Sequence, residues 1–231
     1  MTTSMAGDSI AGAGILRRPT RLGDEVYNAI YASLMSLKIP PGGRISVDSL
    51  VRELGVSQTP IREALSRLEA QGLVVKTHLV GYSAASQMDQ NRLEQLYELR
   101  LLLEPFAAGR AAINMTDQAI ASLEAIDMSM RSIENPTSRL AYGAFAQRDS
   151  DFHDLIAMNS GNELVQATLA HLHTHVHLFR LFYHSRATAE ANDEHARIIQ
   201  AIKSRKSTEA EAAMREHVER SRKRFMSVFG G

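Results

Sequence analysis

Four side chains carry donor atoms that suit a divalent metal ion: Asp149, His153, His195 and His217. Asp149 and His153 stand four residues apart, so on a helix they share one face. Ala146 and Ile156 lie on or near that face, which directs it inward. His195 precedes Ile198, Ile199 and Ile202 at three, four and seven residues, the spacing of a helix face that looks into a core. His217 follows Ala213 by four and shares its face with Met214 and Val218. One carboxylate and three imidazoles drawn from three helices suit zinc first, with nickel or manganese as alternatives. Water or a ligand carboxylate could take the remaining positions. Each residue also has a plainer reading. A lone buried histidine is usually a hydrogen-bonded core residue, and Asp149 with His153 can be a simple ion pair on a helix surface. A metal held this way could instead activate water, as in a hydrolase, but no motif supplies the general base. An ion that only stabilises the fold is the third reading.

A second group of histidines, His171, His173, His175 and His177, alternates along one segment. At about 100° per residue the four cannot share one helix face. Two pairs four residues apart point to roughly opposite sides, so most of them are expected to be surface or interface residues, with one lining the ligand pocket as the alternative.

The other stretch with chemistry in it runs from Ile45 to Val75. Leu50, Val51 and Leu54 give a first short helix its apolar face, and Gly55 breaks it where a left-handed backbone is needed. Ser57 or Thr59 can cap a second helix that tolerates Pro60 in its first turn, with Ile61, Leu65 and Leu68 at helical spacing. Two helices across a tight turn are the helix-turn-helix pattern, whose second helix enters the DNA major groove. An ordinary helical hairpin has the same spacing. Gly72 ends the second helix, Leu73, Val74 and Val75 favour a strand, and Val80-Gly81-Tyr82 can return it, with Lys76 to Val80 at the tip. A preceding helix over about 21–37 carries the stripe Leu22, Val26, Ala29, Ile30, Ser33, Leu34 and Leu37, and stops before Pro40-Pro41-Gly42-Gly43. Three helices and a two-stranded ribbon make a winged helix-turn-helix over 19–84.

The rest of the chain must supply the elements that position the metal candidates. Beyond the short polar boundary at 84–87 every pattern is helical, over about 89–113, 117–134, 137–159, 162–184, 187–204 and 207–228. Residues 88–229 therefore read as an antiparallel all-helical bundle, and the fold class is mainly α. Residues 1–18 read as a flexible tail. Asp8 interrupts its small, mildly apolar run, and the arginines follow that run, which is the wrong order for a secretory signal. No stretch reaches the ~18 apolar residues of a membrane span, so no membrane partner is expected. The absence of cysteine excludes disulfides and thiolate sites and is compatible with a cytoplasmic location. Net charge is zero, so no global basic field announces nucleic acid.

The run Leu54 to Leu65 (LGVSQTPIREAL), followed by Arg67-Leu68-Glu69 and Gly72-Leu73-Val74, resembles the N-terminal signature of GntR-family bacterial transcription regulators. The helical part is similar to the FadR branch with its FCD ligand-binding domain. The matching pieces are Tyr97-Glu98-Leu99-Arg100 with Glu104-Pro105, Asp149 to His153, Gly161-Asn162, Glu194-His195 and Arg215-Glu216-His217. The resemblance covers nearly everything after residue 20. It implies a homodimer, built through the helical domain, on two-fold-related double-stranded operator DNA. It also implies a metal at Asp149, His153, His195 and His217, and a small organic acid as effector, gripped by Arg100 through a bidentate guanidinium. The alternative for Arg100 is a buried pair with an acid of a neighbouring helix. Ser57, Gln58, Thr59 and Arg62 occupy the family's DNA-contact positions. Arg52 and Arg67 are phosphate contacts or solvated charges, and Lys76 and His78 sit on the wing, where they could reach the minor groove. Many relatives carry arginine where this chain has Gln58. Glutamine suits adenine and arginine suits guanine, so operator preference is expected to differ from theirs.

Overall fold

The structure, a computed structural model, describes residues 20–133, 139–172 and 185–229. The N-terminal tail and His173, His175 and His177 lie outside the described residues. The chain opens with α1 (Thr20–Met35), β1 (Arg44–Ile45), α2 (Val47–Leu54) and α3 (Gln58–Ala70), followed by β2 (Val74–Thr77) and β3 (Gly81–Ala84). Val26, Ile30 and Leu34, four residues apart, are buried from α1 against α3. The expected stripe is incomplete at its start, because Leu22 is 41% exposed. A second face of α1, Tyr27, Tyr31 and Met35, is buried as well. α1 is flanked on two sides, by α3 and by a bundle helix, so one amphipathic stripe does not describe it.

The helix-turn-helix forms for local reasons. The Ser46 side chain accepts from the Ser49 backbone N–H at 3.2 Å and caps α2. Gly55 closes α2 with φ +67°, a conformation that costs other residues about 1–2 kcal/mol. Ser57 is the N-cap of α3, and Ile61, Ala64, Leu65 and Leu68 are its buried face. The ribbon is a sheet of three strands in the order β1-β3-β2, all antiparallel, with Ile45 and Lys76 both opposite Tyr82. The sequence led to two strands. β1 is two residues long, which gives no alternation to read.

The bundle comprises α4 (Gln90–Asn114), α5 (Asp117–Arg131), α6 (Arg139–Met158), α7 (Glu163–Leu172), α8 (Ser185–Lys203) and α9 (Ser207–Met226), with a short 3-10 turn at Ser227–Phe229. Asp89 and Thr116 cap α4 and α5 by accepting from the Arg92 and Ala119 backbones at 2.7 and 3.1 Å. Asn162 caps α7 through bonds from Leu164 and Val165. No strand follows Ala84 among the described residues, and none of their helices is long and apolar enough to cross a membrane. α4 lies along α9, and its contact face is small: Ala107, Ala108, Ala111 and Ala112 are fully buried. Pro105 stands inside α4 and has no N–H for the Leu101 carbonyl one turn back. Arg215 of α9 donates to that carbonyl at 3.3 Å, so the helix defect becomes a bond between the two helices.

Candidate metal centre and nucleic-acid interface

α6, α8 and α9 bring the three histidines together. One ring nitrogen each of His153, His195 and His217 lies within 4.8 Å of the others. All three are buried, at 6%, 0% and 3% exposure. Asp149, one turn before His153 on α6, places Oδ1 3.4 Å from His195 Nε2. Phe152 stacks on His195 with ring centroids 4.2 Å apart and closes the apolar side of the cluster. A compact, buried set of three imidazoles and a carboxylate fits a divalent transition ion in number and chemistry.

Two glutamates surround the cluster. Glu194 accepts a hydrogen bond from His217 Nδ1 at 2.8 Å, which directs Nε2 of that ring away from Glu194. Glu194 is itself held by the Arg224 guanidinium at 2.7 and 2.8 Å. Burial raises its pKa, but the bonds from Arg224 and His217 outweigh burial and leave it at about 2. Burial lowers the His217 pKa below the ordinary imidazole value, against the pull of Glu194, so the ring is neutral at pH 7, as a metal ligand must be. Glu104 on α4 lies 3.0 Å from His153 Nδ1. Its carboxyl is held well below the usual range, because the Arg100 guanidinium first, and then His153 beside it, overcome the penalty of burial.

Arg100 is not open to a ligand in the way its position in the chain suggested. It is 1% exposed, and its Nε and Nη2 bind the two oxygens of Glu104 at 2.5 and 3.1 Å. The acid comes from its own helix, four residues on, rather than from a neighbour. These two bonds leave Nη1 out of the pair. Arg100 thus reaches the histidines through Glu104. Glu104 and Glu194 stand inside longer matching motifs, and the sequence alone singles out neither as a site residue. Their signal was an acid beside an arginine or a histidine, which becomes meaningful only once the helices are packed.

On the winged helix, Ser57, Gln58, Thr59 and Arg62 are exposed at the start of α3. Gln58 does not stand alone. Its Nε2 donates to Asp48 of α2 at 3.0 Å, and its Oε1 accepts from Arg62 Nη2 at 3.3 Å. The Asp48 carboxylate therefore fixes the amide orientation, and the amide in turn orients Arg62. Arg52 is exposed and donates to Ser49, while Lys76 and His78 are exposed on the wing. Beside them Leu79, at the wing tip, is 93% exposed. Arg67 is placed elsewhere. Five residues beyond Arg62 it lies about 140° further around the helix, where it pairs with Asp24 at 2.8 Å and covers the Tyr27 ring at 4.2 Å.

Residues 22–82 match the family described as bacterial regulatory proteins, gntR family, and residues 95–220 match the FCD domain family. The chain belongs to the GntR family and carries an FCD domain. This GntR-family chain is 30% identical over 198 residues to the Nta operon transcriptional regulator of Aminobacter aminovorans, covering 85% of this chain and 91% of that one. It is 31% identical over 204 residues to the HTH-type transcriptional regulator LutR of Bacillus subtilis, covering 78% and 90%. Its fold is similar to that of E. coli McbR/YncC, with a TM-score of 0.68 at 18% identity over 90% of this chain and 98% of that one. The families and relatives are transcription regulators, not enzymes, so the protein is a DNA-binding transcription regulator and the hydrolase reading falls away.

Proposed function

We propose that this GntR-family regulator binds a divalent metal ion through Asp149, His153, His195 and His217, senses a small organic acid there, and acts on operator DNA as a homodimer. The convergence of three buried imidazoles within 4.8 Å carries this reading. A zinc, nickel or manganese ion at that place would offer Lewis-acid coordination to a ligand carboxylate. Glu194 and Glu104 hold two of the rings in register. Nη1 of Arg100, the part of the guanidinium outside the Glu104 pair, is the candidate cation for the same carboxylate. α6 gives a route to the DNA-binding part, since it carries Asp149 and His153 and also packs against α1. An effector can move the winged helices only by its difference in affinity between two domain arrangements.

The decisive experiment measures operator affinity of the metal-loaded protein against a panel of small carboxylates. The proposal expects at least one acid to change affinity saturably, and no response once metal is removed. An ion with a purely structural role would leave every acid without effect while metal removal still lowers stability.

Self-association is supported by an apolar stripe on α4. Leu99, Leu102, Phe106 and Ile113, at heptad-like spacing, are 40%, 71%, 41% and 59% exposed. A paired Leu102→Asp and Phe106→Asp variant is expected to weaken self-association by about a hundredfold or more, because carboxylates resist burial. Sedimentation velocity at micromolar concentration checks it, and an unchanged dimer would place the interface elsewhere.

The DNA end of the proposal rests on α3. Gln58→Arg is expected to shift preference at one operator position from adenine toward guanine, by about 1–3 kcal/mol of discrimination. Binding to operators varied one base pair at a time measures it. An unchanged preference would remove Gln58 from base reading.

A further inference from the structure

A cavity of 430 Å³ lies at the junction of the winged helix and the bundle, between α1, α3 and α6 and away from the histidine cluster. Its size is that of a small-molecule site. Ala32, Met35 and Ala144 give it apolar wall, and Tyr27 and Tyr31 add stacked rings with centroids 6.0 Å apart. Gly143 lets α6 approach closely: a Cβ there would meet Met35 Cβ at 3.3 Å.

The polar part of the wall is two cations, Arg67 and Arg148, with the amides of Asn28, Gln71 and Gln147 and the Tyr27 hydroxyl. Arg67 comes from α3 and Arg148 from α6, and their side chains are 51% and 52% exposed. Each pairs with an acid, exposed Asp24 at 2.8 Å and half-buried Asp151 at 2.9 Å. Exposed pairs such as Arg67–Asp24 contribute about 0–1 kcal/mol, so an incoming carboxylate can recruit that guanidinium at small cost. The two tyrosine hydroxyls differ. That of Tyr27 donates to Gln71 at 2.6 Å. That of Tyr31 is buried, the residue being 8% exposed, and has no hydrogen-bond partner among the described residues.

We propose that this junction cavity is a second ligand site, independent of the metal centre, for an aromatic carboxylate. The ring lies against the tyrosines and the Met35 and Ala144 wall. The carboxylate pairs with the arginines. Arg67 and Gln71 stand near the C-terminal end of the helix that reads DNA, and Arg148 immediately precedes Asp149. An occupant therefore ties the reading helix to the helix that carries the candidate metal ligands, and holds one placement of the winged helix against the bundle.

Benzoate is the probe, with neutral benzamide as its isostere, titrated calorimetrically into the full-length protein before and after chelator treatment. The expected result is saturable binding that survives the chelator, with benzamide clearly weaker. Arg148→Gln, outside the proposed DNA surface and checked for native thermal unfolding, should weaken benzoate by about tenfold. Ala144→Trp, which fills the cavity, should abolish binding. Operator affinity should change with benzoate in the wild type and not in Ala144→Trp. The proposal is overturned by an absence of saturable binding at millimolar benzoate or by equal binding of benzamide. It is equally overturned by binding that is lost in a His195→Ala, His217→Ala variant while Arg148→Gln leaves it intact.

Discussion

Replacing Arg100 with methionine is expected to destabilise the protein by about 3–5 kcal/mol in urea unfolding, a loss typical of a buried ion pair broken from one side. The cause is Glu104. Its carboxylate is 3% exposed, bound at 2.5 and 3.1 Å by Arg100, and kept ionised chiefly by that guanidinium. Without Arg100 a charge is left in the bundle with only the neighbourhood of His153 to answer it. Replacing both partners, Arg100→Met with Glu104→Leu, removes the stranded charge and should recover most of the loss, since apolar isosteres often match a buried pair. A residue that only anchors effector would behave differently. Its variant would keep wild-type stability and lose effector affinity alone, and that outcome would remove Arg100 from the structural frame of the site.

The second large effect is expected from His195→Ala combined with His217→Ala. Adding zinc at a hundredfold excess over its dissociation constant should stabilise the wild type by about 2.7 kcal/mol. The double variant should show no metal-dependent change, whatever its own stability. Two of the three clustered imidazoles are gone, and Asp149 with His153 alone is a poor site. Glu194→Gln gives the intermediate case. His217 keeps a hydrogen-bond partner but loses the carboxylate that makes it a better donor, so zinc should bind about 10–100-fold more weakly. Wild-type zinc affinity in Glu194→Gln would mean that Glu194 serves the Arg224 pair alone.

Much of the frame was legible because it rests on local rules. Gly55, Thr116 and Asn162 mark helix ends through conformations and caps that need only their neighbours in sequence. The inward aspect of Asp149, His153, His195 and His217 followed from the isoleucines, alanines and other apolar residues at helical spacing beside them. How closely the helices bring these residues together was not legible. Neither was Glu104, since an acid four residues from an arginine is an ordinary surface pair until packing excludes water from it. Tyr27, Tyr31 and Met35 were missed because α1 was read as having one buried face, and only the docking of α6 gives it a second. The sequence offers Arg67 as a phosphate contact or a solvated helix charge, and its half-exposed pair with Asp24 fits the second. The angle between positions 62 and 67 turns it from the start of α3 toward Tyr27 and Asp24. β1 is set by its pairing with β3 and has no pattern of its own.

The metal content of purified full-length protein tests the metal centre most directly. Wild type and the His195→Ala, His217→Ala variant are prepared side by side, exchanged into metal-free buffer and measured by elemental mass spectrometry. The expected result is about one divalent transition ion per wild-type chain, in line with a single donor set, and none in the variant. Equal metal in both, or none in either after loading with zinc, nickel or manganese, would contradict it.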